Sequence, residues 1–212
     1  MSVLKSRLCN DLDQMRIGVR SSGGVLAVKL DTPSANWPTA YSYIDEALNM
    51  CLTRAGLVRD TDFKIKHIGS TALNIKSKPV IDIALGLTTE YCDKLALRGI
   101  NENLGLYDLE IFPQRAHDTL ECFSKCFAMI HVGFGGQDSP FFPDRIVDQI
   151  VFAQYLRDNR AALDEYERLK IASATTSKEV FEYTEKKRAF VSAKTADARA
   201  TYSPAEISDF CQ

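Results

Sequence analysis

The stretch FKIKHIGSTALNIKSKPVIDIALGL, residues 63–87, decides the fold. Apolar and polar side chains alternate over residues 63–67, which is the period-two pattern of a half-buried strand. Gly69 and Ser70 break this pattern and leave backbone N–H groups free. An apolar run that follows Pro79 and extends to Leu85 predicts a second strand. The stretch therefore predicts two strands joined by a Gly-Ser turn and a polar connection.

One charged residue, Asp82, interrupts this apolar run. A carboxylate inside an apolar strand is costly unless it is paired, protonated or bound to a cation. In a structural interpretation, Asp82 caps a loop or pairs with Lys66 or Lys78. In a functional interpretation, it binds a metal ion beside a phosphate held at Gly69 and Ser70. The pattern alone leaves both interpretations open.

Composition narrows the class of protein. The chain has 212 residues, a net charge of −2, 45% hydrophobic residues and 25% charged residues, which favours an ordinary globular protein with one sizeable core. The balanced charge does not predict nucleic acid as a partner. No apolar run approaches the roughly 18 residues of a membrane span, and the N-terminus lacks a signal-peptide core. Six cysteines without disulfide-framework spacing favour a reduced, cytoplasmic location.

Periodicity and turn residues predict three parts of the chain. Residues 1–34 form an N-terminal arm that contains a strand at 25–30. Residues 35–200 form a single domain, and residues 201–212 form a loose tail. The predicted helices are 39–55, 88–99, 144–172 with a break near Asp158, and a last helix from Ser177 to about Ala198. Residues 104–112 and 121–134 are predicted strands. The expected fold class is α+β or α/β, a short mixed sheet backed by helices, with the C-terminal helices over the site.

Two residues are candidate partners for Asp82. Glu110 on the strand 104–112 and His131 in the run 121–134 offer a metal ligand or a base, but an exposed edge carboxylate and a core histidine are the structural alternatives. His117, Cys122 and Cys126 form a candidate zinc set with His131. Because their spacing is not that of a ribbon or finger, buried thiols are the alternative.

The motif HIGSTALNIKSKPVIDI, residues 67–83, resembles the signature of the GrpB family. That family is similar in fold to the DNA-polymerase-beta-like nucleotidyltransferases, whose motif is Gly-Ser, a spacer of about a dozen residues, Asp, an apolar residue and a second carboxylate. Gly69, Ser70 and Asp82 match this motif. The position of the second carboxylate is Ala84, and GrpB proteins often lack that carboxylate.

The C-terminal half resembles the same family in the segments 155–157 (Tyr-Leu-Arg), 166–170 (Tyr-x-x-Leu-Lys), and Tyr183 with Lys187. The resemblance covers about residues 35–195. Arg157, Lys170 and Lys187 are cations on predicted helices, which either face a phosphate site or form a solvated charged surface.

The resemblance implies transfer of a nucleoside monophosphate from a nucleoside triphosphate to a small-molecule or protein acceptor, with Mg²⁺ as the expected cofactor. A nucleotide-dependent ligase and a non-catalytic ligand-binding module are the alternatives. Asp82 is the expected metal ligand. The implied catalytic residues are Ser70, Asp82, Glu110 and His131. The implied nucleotide-binding residues are His67, Gly69, Ser70, Thr71, Lys78, Arg115, Arg157, Tyr166, Lys170, Tyr183 and Lys187.

Overall fold

A computed structural model describes residues 10–22, 25–26, 28–88, 118–122 and 125–212. The strands are β1 (Val19–Ser22), β2 (Val25–Leu26), β3 (Phe63–Ile68), β4 (Ile81–Leu87), β5 (Asp118–Cys122) and β6 (Lys125–Phe134). The helices are α1 (Asn36–Arg54), α2 (Gly69–Ala72), α3 (Asp144–Asp158), α4 (Arg160–Thr176), α5 (Val180–Thr201) and α6 (Pro204–Phe210). A further helical segment covers residues 10–14.

The six strands form one sheet in the order β2-β1-β6-β4-β3, with β5 paired to β6. Strand β4 pairs antiparallel with β3, so that Ile68 lies opposite Asp82. It pairs parallel with β6, which places Met129 opposite Asp82 and His131 opposite Ala84. The sheet is therefore mixed, and the predicted α+β class, a mixed sheet backed by helices, is confirmed.

Alternation along β4 separates two apolar clusters. Ile81 and Ile83 pack with α1 in a cluster that includes Trp37. Ala84 packs on the other face, in a cluster with Ile68 and the residues of α3. Because Asp82 is two residues from Ala84, it lies on the face that α3 and the C-terminal helices cover. The predicted placement of those helices over this face agrees with the structure.

Several predicted boundaries are wrong. The run 121–134 is not one strand, because it contains the end of β5 and the whole of β6. Residues 28–30 are outside the strand predicted at 25–30, and α1 begins at Asn36 rather than at residue 39. Ser177 is the C-cap of α4, whereas Glu179 precedes α5. The predicted break near Asp158 is confirmed, since α3 ends there and the Asn159 side chain caps α4.

The prediction of a loose tail at residues 201–212 is also wrong. Residues 204–210 form α6, and a capping box of Ser203 and Glu206 satisfies its first turn. Ile207 and Cys211 are buried against the α3 cluster. The capping box and the packing of these apolar side chains together stabilise this short helix. The predicted helix beyond Thr88 and the predicted strand 104–112 lie outside the described residues.

Candidate functional site

Gly69 brings the start of α2 into contact with Asp82. Its backbone has φ +71°, in the left-handed region that favours glycine. A Cβ at this position would lie 2.8 Å from the Cβ of Asp82 and would overlap its Oδ2. Gly69, which was predicted to lie in a turn, is the first residue of a short helix. Because glycine has no side chain, the backbone at this position can lie close to Asp82.

Asp82 is partly accessible and ionised. Its side chain is 29% exposed, and its Oδ1 lies 3.7 Å from Nε2 of His131. Burial raises the pKa of Asp82, but the nearby imidazole of His131 and the positive charges of Lys78 and Lys170 outweigh burial and hold that pKa below its ordinary value. The structure therefore brings Asp82 and His131 together, as predicted.

Lys170 joins α4 to the connection between α2 and β4. It is 1% exposed, and its Nζ donates hydrogen bonds to the Lys76 carbonyl at 2.6 Å and to Ser77 Oγ at 2.8 Å. Burial holds its pKa well below the ordinary value, and repulsion from Lys187 adds to this effect, while Asp82 opposes it. The same connection is held by Glu167, which accepts the Lys76 N–H at 2.8 Å.

Lys187 approaches the site from α5. Its Nζ lies 3.8 Å from the ring centroid of Tyr183, a cation–π contact. Burial, together with the charge of Lys78, lowers its pKa to about 8 against the opposing effect of Asp82. Three lysines from three elements thus influence one carboxylate. We call Lys78, Lys170 and Lys187 the lysine cluster; its excess positive charge suits a polyanion.

Two buried tyrosines lie behind the Gly-Ser segment. Tyr166 lies close enough to Ser70 for the Ser70 side chain to lower its pKa. Burial, together with the charge of Asp82, raises the pKa of Tyr166 to about 12 against the opposing effect of the Ser70 side chain. The Tyr183 pKa is also raised, first by burial and then by Tyr166 and Asp82. Both predicted tyrosines therefore lie near Asp82 and remain neutral.

His67 and Arg157 form a second group beside the first. The His67 ring stacks on Tyr41 with centroids 4.7 Å apart, and its Nε2 is 2.9 Å from Thr71 Oγ1. Burial lowers the His67 pKa to about 4, against the charge of Asp82, so the ring is neutral at pH 7. Arg157 lines the same pocket as His67 and influences its pKa. The three helix cations predicted together are therefore divided between two places.

Several predictions are not tested by the described residues. Glu110, Arg115 and His117 lie outside them, and so do the side chains of Cys122 and Cys126. Within the described part of the chain, no three His, Cys, Asp or Glu side chains form a group that could hold a metal ion. The alternative pairing of Asp82 with Lys66 is wrong, because Lys66 Nζ donates instead to the Phe210 carbonyl at 2.6 Å.

The donor set allows one kind of Mg²⁺ site. Ala84 is fully buried in the α3 cluster, so the second carboxylate position of the motif lies in the apolar core. Protein Mg²⁺ sites often use one or two carboxylates together with substrate phosphates and water. Asp82 fits an ion that binds together with a polyphosphate. The described residues do not form a two-metal site made of protein ligands alone.

Three residues that contribute contacts to the site were not indicated by sequence patterns. Tyr41 stacks on His67 from α1, Ser77 binds Lys170, and Glu167 binds the Lys76 backbone. Each of these contacts joins residues that are distant in sequence, so no local spacing marks them. The Tyr-x-x-Leu-Lys segment contains Glu167 one position after Tyr166, which is the only sequence hint of this tie.

Fold and site together define an α+β protein. Its carboxylate Asp82, its Gly-Ser segment and the lysine cluster lie together around the connection between β3 and β4. A family model described as GrpB protein matches residues 27–197. The chain therefore belongs to the GrpB family, as its motifs predicted.

Three solved structures are similar to this chain, and the first of them shares its fold. The conserved protein GrpB from Enterococcus faecalis matches with a TM-score of 0.60 and 20% identity, over 82% of this chain and 99% of that chain. The Cid1 poly(U) polymerase with bound MgGTP matches with a TM-score of 0.43 and 12% identity, over 75% of this chain and 44% of that chain. A cytoplasmic RNA terminal U-transferase matches with a TM-score of 0.39 and 14% identity, over 78% of this chain and 44% of that chain. The search of curated proteins found no match. Among the described helices, none combines the length and apolar character needed to span a membrane.

Proposed function

We propose that this protein transfers a nucleoside monophosphate from a nucleoside triphosphate to an acceptor. The observation that carries the proposal is the lysine cluster around Asp82, beside the contact between Gly69 and Asp82. A triphosphate is a polyanion that needs several cations and one metal-binding carboxylate. The Gly-Ser and Asp spacing of the nucleotidyltransferase motif points to the same reaction.

Each residue has a role in this proposal. The backbone amides at Gly69–Thr71 and the Ser70 hydroxyl hold the phosphates, while the lysine cluster screens the charge that develops on the leaving group. Asp82 would hold Mg²⁺, which would neutralise part of the phosphate charge. Arg115 and Glu110 stay predicted contributors to this site.

The proposed transfer is a displacement at the α-phosphorus of the triphosphate. A hydroxyl or amine of the acceptor attacks the α-phosphorus, and a new bond forms to that phosphorus. The bond from the α-phosphorus to the bridging oxygen breaks, and its electron pair leaves on pyrophosphate. The acceptor's proton passes to His131, whose Nε2 faces the Asp82 carboxylate at 3.7 Å.

One observation favours a second candidate, a module that binds a nucleotide without consuming it. Ala84 is buried among apolar side chains where the motif places a second carboxylate. A site with one carboxylate retains affinity for a magnesium–triphosphate complex but stabilises the transition state less. ATP-driven ligation is the other alternative, and its products, AMP or ADP with phosphate, differ from those of nucleotidyl transfer.

The test is a thermal-shift panel of the four ribonucleoside triphosphates, with and without Mg²⁺, on wild type, Asp82→Asn and Asp164→Asn. Asp164 is a matched control because it pairs with Arg160 on the surface of α4. A ligand at a hundredfold excess over its Kd stabilises the folded state by about 2.7 kcal/mol. We expect a Mg²⁺-dependent shift in wild type and Asp164→Asn that Asp82→Asn loses.

Pyrophosphate release in the presence of candidate acceptors then separates the functions. Release of pyrophosphate without release of free AMP in wild type, with at least a hundredfold lower rate in Asp82→Asn, supports transfer. Binding without turnover supports the binding module, whereas AMP or ADP formation that requires the acceptor supports ligation. A wild-type protein that no triphosphate stabilises contradicts the proposal.

A further inference from the structure

A cavity lies at the outer edge of β3, beside the lysine cluster. Its volume is about 290 Å³, and its wall includes side chains from α1, β3, α3 and α6. The residues that matter for its chemistry are Tyr41, Lys66, His67, Arg157 and Phe210. We call it the β3-edge pocket. Its volume is at the lower end for pockets that bind small ligands, so it suits a compact molecule or one group of a larger one.

Two cations in the β3-edge pocket bind neutral groups. Lys66 Nζ donates to the Phe210 carbonyl, and Arg157 Nη1 donates to the Gln154 amide oxygen at 3.4 Å. Asp158 lies next to Arg157 in sequence, but its carboxylate accepts hydrogen bonds from Tyr202 at 2.6 Å and Gln154 at 3.1 Å. The adjacent Asp158 offsets part of the Arg157 charge, but among the described residues no acidic side chain lines the pocket itself.

The charges within the β3-edge pocket repel one another. Burial lowers the Lys66 pKa, and the charges of Lys64 and Arg157 lower it further, while Cys211 acts in the opposite direction. Burial also lowers the Arg157 pKa, against the charge of Asp158. Cys211 supplies little negative charge because its thiol is 2% exposed and burial raises its pKa. An anion between Lys66 and Arg157 would relieve this repulsion.

The remaining wall is neutral. The His67 ring is uncharged at pH 7 and stacked flat on Tyr41, with an interplanar angle of 9°. Ile68 and Ile150 add apolar surface. An arginine fork, a lysine and a flat aromatic wall are the groups that bind a small carboxylate or phosphate monoester and orient the carbon skeleton attached to it.

The β3-edge pocket lies next to the reaction site. Ile68, in its wall, is the register partner of Asp82 across β3 and β4. The charge of Asp82 also influences His67 directly. A ligand anchored here would place a neighbouring hydroxyl or amine toward the Gly-Ser segment.

We propose that the β3-edge pocket is the acceptor subsite and that it selects small anionic acceptors, with Arg157 and Lys66 binding their carboxylate or phosphate group. The role as acceptor subsite rests on the proposed nucleotidyl transfer. The binding of a small anion does not rest on it. This inference favours a small molecule over a protein side chain as the acceptor.

The experiment uses two probes, succinate and glycerol 3-phosphate, titrated by NMR with Mg²⁺ and a triphosphate present to fill the lysine cluster. The signals followed are the Arg157 guanidinium and the His67 ring. The variants are Arg157→Gln, Arg157→Lys, Lys187→Met and the control Arg160→Gln, whose guanidinium is on the surface of α4. The two probes distinguish a carboxylate from a phosphate preference.

We expect at least one probe to bind wild type, Arg160→Gln and Lys187→Met alike. Its Kd should rise roughly tenfold or more in Arg157→Gln and less in Arg157→Lys. Unchanged binding in Arg157→Gln, or no binding of either probe to wild type, overturns the inference. An equal loss of triphosphate affinity in Arg157→Gln and Lys187→Met also overturns the inference, because Arg157 would then belong to the triphosphate site. Binding of a probe that depends on Arg157, in a protein that binds no triphosphate, overturns nucleotidyl transfer and keeps the anion site.

Discussion

At the scale of single residues, Gly69 has a conformational and a steric reason to be glycine. Replacing it with alanine adds a Cβ to a backbone with φ +71° and places that atom against Asp82. We expect Gly69→Ala to lower the free energy of unfolding by about 3 kcal/mol and to weaken triphosphate binding. Urea denaturation measures the first effect, and calorimetry measures the second.

Gly56→Ala is the matched control. Gly56 has φ +91°, but a Cβ there meets nothing within 4 Å. The Gly56→Ala variant should lose only the backbone preference of glycine, which lowers the free energy of unfolding by about 1 kcal/mol. It should bind triphosphate as wild type does. Equal losses of stability in the two variants would show that the contact with Asp82 is not what requires Gly69.

His67 makes stability depend on pH in a defined window. Its pKa is lowered from 6.5 to about 4, chiefly by burial. Between these two values the unfolded chain binds more protons than the folded chain, so stability is full above pH 6.5 and falls as the pH drops toward 4. We expect His67 to account for a loss of about 3 kcal/mol across this window, measured by urea denaturation at several pH values.

The variant His67→Gln isolates that contribution. Glutamine stays uncharged, so the difference in stability between wild type and His67→Gln should shrink as the pH falls from 7 to 4.5. The lowered pKa of Asp82 affects stability only below its ordinary value of 3.8, outside this window. A difference that does not change with pH would mean that His67 is not the group that titrates.

At the scale of elements, α6 shows how a short helix is stabilised by its cap. Ser203 Oγ accepts the Glu206 N–H at 3.3 Å, and the Glu206 carboxylate accepts the Ser203 N–H at 2.8 Å. We expect Ser203→Ala to lower the free energy of unfolding by about 1 kcal/mol, with faster hydrogen exchange of the Ile207 amide. Urea denaturation and exchange measured by NMR provide the two readouts.

Ser208→Ala is the control on the same helix. Ser208 lies inside α6, where alanine is a better helix former than serine, so this variant should be neutral or slightly stabilising. If both alanine variants behave alike, the capping box does not stabilise α6.

Another element-scale feature is the connection between α2 and β4, which is held from α4. Glu167 accepts the Lys76 N–H, and Lys170 donates to Lys76 O and Ser77 Oγ. A second tie comes from the other side, where Asp31 and Ser77 exchange backbone hydrogen bonds of 2.8 and 3.1 Å. These ties position Lys78, because it directly follows Ser77. The polar connection is thus an ordered part of the site.

At the scale of the whole molecule, the mixed sheet determines which residues meet. The parallel pairing of β4 with β6 brings His131 close to Asp82, and the antiparallel pairing with β3 places Ile68 opposite Asp82. Helices α4 and α5 then add Lys170 and Lys187 from above the same face. The result is a lysine cluster around Asp82 with the cationic β3-edge pocket beside it.

Local chemistry explains which predictions succeeded. The β3 and β4 strands, the break near Asp158 and the GrpB family followed from alternation, turn residues and motif spacing, which are properties of neighbouring residues. The tail prediction failed because the burial of Ile207 and Cys211 depends on a distant surface. The pocket that Arg157 shares with Lys66 and His67 was not predicted for the same reason, since helical spacing does not specify the packing of one helix against another.

By itself, therefore, the sequence determined the strand–turn–strand unit and the family. These features depend on hydrogen bonds and side-chain periods over short separations. Only the tertiary structure decided that Lys78, Lys170 and Lys187 converge on Asp82 and that Arg157 lies apart with Lys66 and His67. The physical reason is that charges interact through space, over distances that the packing of the helices on the sheet alone determines.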